Sequence, residues 1–140
     1  MAEFTNMPVQ LVAEDGFVTF AETPVHGPRC VTHRQGAGVV TLRGFTDACF
    51  ARYRVSFGAN IAIPEDGTVE PISVAIAVRG EPLGSATAIV TPAAVDEYHN
   101  VFIAVDVCVQ RGCCLDAAVI NVSDQAINVQ NANLIVTREG

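Results

Sequence analysis

The stretch FARYRVSFGANIAI, residues 50–63, decides the fold class. Ala51, Tyr53, Val55, Phe57, Ala59, Ile61 and Ile63 fall on one parity; Phe50, Arg52, Arg54, Ser56 and Gly58 fall on the other. A period of two, apolar against mostly polar, is that of a β-strand with one face buried. Working outward, residues 39–43, 72–78, 85–91, 101–109, 114–122 and 126–138 read as further strands, with short ones at 17–20 and around 30–33. Turn residues separate them: Pro64-Glu65-Asp66-Gly67, Arg79-Gly80, Arg111-Gly112 and Ser123-Asp124-Gln125. Strands at roughly ten-residue spacing predict an all-β, antiparallel jelly-roll sandwich. Residues 1–16, with Pro8 and Gly16, read as an N-terminal arm, and 17–140 as the single domain.

Composition narrows the function classes. The chain has a net charge of −7, with 15 acidic residues against eight arginines and no lysine. It lacks the basic field that gives non-specific affinity for nucleic acid or anionic membranes, so neither is expected as a partner. No apolar run approaches a membrane span, and the opening MAEFTNMPVQ has no basic or apolar leader region. Synthesis in a cytoplasm without a signal peptide is therefore expected. In that setting Cys30, Cys49, Cys108, Cys113 and Cys114 are expected as free, buried thiols. The turn at Gln110-Arg111-Gly112 leaves a late Cys108–Cys113 oxidation open.

Three segments carry a resemblance. They are Ala51-Arg52-Tyr53-Arg54-Val55-Ser56-Phe57-Gly58-Ala59-Asn60-Ile61, then the run from Ile72 to Leu83 ending in Arg79-Gly80-Glu81-Pro82-Leu83, and the tail from Gln125 to Val136. In that order they resemble the third strand, the apolar strand with its short glycine turn, and the closing strand of the jelly-roll domain of tumour necrosis factor and the complement collagen-tail proteins. Spore-surface collagen-like glycoproteins share that domain, and small proteins of Firmicutes phages and prophages are similar throughout 17–138. The resemblance implies a compact homotrimer that binds partners or carbohydrate rather than an enzyme. It also implies a virion protein assembled in the host cytoplasm beside other capsid proteins. A collagen or coiled-coil stalk often precedes such domains; sixteen residues do so here, which favours a protein seated directly on a surface.

Sites of chemistry are sparse. Cys30-x-x-His33, with His26 and Cys49, has zinc-ligand residue types but no second close pair, and reads as a cysteine under a loop with two surface histidines. His99 with Cys113 or Cys114 lacks a nucleophile elbow. Asp96, Glu97 and Asp106, or Glu65, Asp66 and Glu70, lack an ordered calcium loop. No catalytic residue, metal or cofactor is expected. The candidate subunit-interface residues are Arg52, Arg54, Tyr53 and Phe57 of the opening strand, and Asn131 and Asn133 of the amide-rich tail. Arginines can form ion pairs there, and strand amides can hydrogen-bond a neighbour or a sugar. The expected role is a trimeric head-decoration or auxiliary capsid protein. The alternatives are a carbohydrate-binding tip of a tail fibre, or a self-assembling surface or filament protein whose arm completes a neighbour's sheet.

Overall fold

The computed structural model describes residues 1–27 and 29–139. Eleven strands form among them: β1 (Ala2–Asn6), β2 (Gln10–Val12), β3 (Glu22–Val25), β4 (Val31–His33), β5 (Val39–Arg43), β6 (Phe50–Ala62), β7 (Ile72–Val78), β8 (Glu81–Val90), β9 (His99–Gln110), β10 (Cys114–Asn121) and β11 (Ile127–Arg138). One sheet has the order β3-β1-β11-β6-β9, with β2 also on β11; the second has the order β4-β5-β10-β7-β8. All pairings are antiparallel. From β5 onward, apart from the β7–β8 hairpin within the second sheet, the chain passes back and forth between the sheets, which is the winding of a jelly roll.

Strand β6, formed by the alternating stretch at residues 50–62, is the longest and lies inside the first sheet, between β11 and β9. Its apolar parity, Ala51 to Ile61, is buried against the second sheet, where Leu42, Val74, Ile76, Leu115 and Val119 face it from β5, β7 and β10. Burying a side chain such as Phe57 or Ile61 contributes about 1.5–3 kcal/mol each. The β7–β8 hairpin turns on Arg79 and Gly80, both at positive φ (55° and 81°), the two-residue geometry that suits the right-handed strand twist.

Four expectations are corrected. Residues 1–16 are not an arm: β1 runs between β3 and β11, and Ala2 and Phe4 are buried in the core. Residues 17–20 form no strand; Phe17 makes a single bridge to Ile120, and Val18 N–H donates to Val119 O at 2.9 Å. The turn at Arg111-Gly112 does not close a hairpin within one sheet, since β9 and β10 belong to different sheets. Of the five free cysteines only Cys30 is buried.

Asn121 fastens the N-terminal segment. Its buried Nδ2 donates to Val12 O, Ala13 O and Gln125 O at 2.9–3.2 Å, and its Oδ1 accepts from Ser123 N–H at 2.9 Å.

Candidate subunit interface

The outer face of the first sheet holds most of the expected interface residues, because strand alternation that sends Tyr53 inward sends Arg52 and Arg54 outward. Outward residues stand in rows across the ladder. Thr5, Asn133, Gly58 and Phe102 face one another in register across β1, β11, β6 and β9. The next row is Glu3, Ile135, Ser56 and Ala104, and the next Thr137, Arg54 and Asp106. Arg52 then faces Cys108.

The upper end of this face is amide and aromatic. Phe102 is 67% exposed, on a strand whose other parity is core. A β-carbon on Gly58 would lie 2.8 Å from Asn133 Oδ1 and 3.6 Å from the Phe102 ring, so the missing side chain makes room for both. Asn131 sits at the bulge of β11 with φ 54°, and its N–H donates to Met7 O at 3.1 Å. Asn100 Nδ2 donates to Asn60 Oδ1 at 3.1 Å. Asn131 and Asn133 have no side-chain hydrogen bond among the described residues. With Thr5 and Phe102 these four asparagines line an open cleft of about 460 Å³.

The lower end is charged and unpaired. Arg54 stands directly opposite Asp106, yet neither its side chain nor that of Arg52 makes an ion pair or hydrogen bond among the described residues. Both guanidinium groups keep their donors for solvent or for another molecule.

Tyr53 and Phe57 belong elsewhere. Both are enclosed in the core of their own chain and have no surface to offer a second subunit, so the interface expectation for these two is corrected. Phe57 meets the Phe20 ring edge-on at 6.4 Å. Tyr53 Oη donates to Arg43 O at 2.6 Å, and the Arg138 guanidinium lies 5.5 Å from its ring centroid. Burial pushes the Tyr53 phenol up to about 12, the Cys30 thiol adds to the shift, and Arg138 opposes it. Hydrogen bonding to Cys30 holds Arg138 above its ordinary value. Phe102 was missed by the sequence reading, although its place on the polar parity of β9, with Asp106 and Cys108, signals it.

The metal and nucleophile candidates do not assemble. Cys30 is buried, His26 is exposed after β3, and Cys49 is exposed just before β6. His33 lies between Phe4 and Phe20, ring centroids 4.6 and 6.3 Å away, with Nε2 2.8 Å from Ala37 O. His99 pairs with Glu97 at 2.9 Å at the start of β9. Cys113 and Cys114 lie beyond the other end of that strand, roughly 35 Å away along it. Among the described residues no three His, Cys, Asp or Glu side chains are grouped to hold a metal ion, which includes both acidic clusters.

Known structures share this arrangement along nearly the whole chain. The globular domain of a zebrafish complement 1qA protein superposes with TM-score 0.59 at 9% identity, covering 96% of this chain and 94% of that one. Murine APRIL does so with TM-score 0.56 at 10% identity, over 95% and 97%. The fold is the tumour-necrosis-factor/C1q jelly roll. The PRD1 vertex protein P5 has it too, with TM-score 0.54 at 12% identity over 99% of this chain and 96% of that one. No protein-family model matches the sequence, and no curated protein does.

Proposed function

We propose that this jelly roll is a non-enzymatic structural protein that assembles as a homotrimer through the outer face of its six-stranded sheet. The observation that carries this reading is the state of that face: an exposed Phe102 beside Gly58, two unpaired amides and two unpaired arginines, all on one continuous surface. Aromatic residues, phenylalanine among them, and arginine are enriched in interfaces relative to the rest of a protein's surface. Arg52, Arg54, Asn131 and Asn133 supply donors that a neighbouring subunit can satisfy. Light scattering tests the trimer.

The most concrete role is a phage head-decoration or auxiliary capsid protein, at home in the virion with other capsid proteins as partners. Support comes from the fold it shares with the PRD1 vertex protein and from an acidic, lysine-free chain unsuited to nucleic acid or anionic membrane. Peptide mass spectrometry of purified particles, with heads and tails separated, tests this. Recovery with heads supports decoration; recovery with tails alone contradicts it.

A second reading rests on the amide-lined cleft. Four asparagines and an exposed aromatic ring suit a neutral sugar, as in a receptor-binding tip. A trimer closed over that face hides the cleft. Glycan-array binding that survives in the assembled protein favours the tip.

A further inference from the structure

We propose that the end of the sandwich carrying Cys49, Cys108, Cys113 and Cys114 is a covalent cross-linking site between copies of this chain. Free cysteines are among the most buried residues in folded proteins. Cys30 obeys that rule, and the other four break it together.

Backbone pairing brings the four to one place. Arg111 N–H donates to Cys49 O at 3.0 Å, Gly44 N–H to Cys113 O at 2.8 Å, and Gly112 N–H to Gly44 O at 3.1 Å. Cys108 faces Arg52 across β9 and β6, and Cys114 faces Arg43 across β10 and β5.

Their directions favour bonds between molecules. Cys108 is on the outward parity of β9, and Cys114 is on the outward parity of β10 with Asp116. They project from opposite faces of a two-sheet sandwich about 10 Å thick, beyond the span of one disulfide. Cys113 and Cys114 are chain neighbours. Cys108 and Cys114 therefore cannot close on each other within one chain.

The surroundings suit a second copy. Four of the eight arginines, Arg43, Arg52, Arg111 and Arg138, lie at this end among the carboxylates of Asp47, Asp116 and Glu139, so it is close to neutral in a chain at −7. Phe45 and Phe50, 56% and 53% exposed, add apolar surface beside the thiols. Each link joins two Sγ atoms, and the two protons and two electrons released pass to a disulfide oxidant such as oxidised glutathione, which leaves as two reduced thiols. The site needs only two copies, so it stands apart from the trimer reading.

The test is non-reducing gel electrophoresis and intact-mass measurement of the purified chain after incubation with oxidised glutathione. The expected result is dimers and higher multimers, collapsed to the monomer band by reductant. Removing Cys30 (Cys30→Ala) leaves the multimers in place. Replacing the four exposed cysteines by serine abolishes them while circular dichroism and thermal midpoint stay within error, since none is in the core. Monomer bands only, whether the masses show free thiols, mixed glutathione adducts or a loss of two hydrogens per internal disulfide, overturn the proposal. Scattering mass in reductant reads the trimer separately.

Discussion

Gly58 on β6 and Asn133 on β11 stand in register, and a β-carbon on Gly58 would lie 2.8 Å from Asn133 Oδ1. The atom in the way is the tip of a side chain that can swing aside. Gly58→Ala is therefore expected to change folding stability by less than about 1 kcal/mol while displacing the amide and weakening assembly. Gly44 offers the contrast: its β-carbon would collide with the backbone carbonyl of Gln110. Gly44→Ala is expected to cost about 1–3 kcal/mol in urea titration, the range of overpacked sites.

The buried amide of Asn121 holds β2 and the turn after β10 through four hydrogen bonds. Replacing it by leucine strands Val12 O, Gln125 O and Ser123 N–H. A loss of about 2–3 kcal/mol follows from leaving such groups without partners. Hydrogen exchange should quicken in residues 10–15 more than in β6.

Tyr53 makes stability depend on alkaline pH. Its phenol is raised to about 12 in the folded chain against an ordinary 10.0, so between these values the folded state holds a proton that the unfolded state has released. The contribution is complete below pH 10 and is lost as pH rises toward 12. Urea midpoints of the wild type should fall across that window. Tyr53→Phe should start lower, by about 0.5–1.5 kcal/mol for the lost bond to Arg43 O, and show a shallower alkaline decline.

Phe102→Asp and the double change Arg52→Glu with Arg54→Glu target the exposed face alone. Each should convert the assembled protein to single chains, a weakening of at least tenfold, with the folding stability of the monomer in urea unchanged within about 0.5 kcal/mol. An unchanged mass for both would place the interface elsewhere.

The strand alternation explains what could be read from sequence. Residues 50–63 declare their two faces, and parity alone puts Arg52 and Arg54 outside and Tyr53 and Phe57 inside. The same rule applied to β9 points to Phe102 and Cys108. What sequence does not carry is which strand pairs with which. Alanine and phenylalanine at 2 and 4 make too short a pattern to announce β1, whose place depends on β11 and β3. Arg111-Gly112 is a tight turn whether the chain returns in the same sheet or crosses to the other, and it crosses. The cysteines were expected inside on residue type, while position at the end of the sandwich leaves four of them out.

The most direct test of the trimer built on the outer face is light scattering of the reduced chain at micromolar concentration. A mass of about 44 kDa, three times the 14.8 kDa chain, is the expected result, falling to one chain in Phe102→Asp. A wild-type mass of 14.8 kDa contradicts the account.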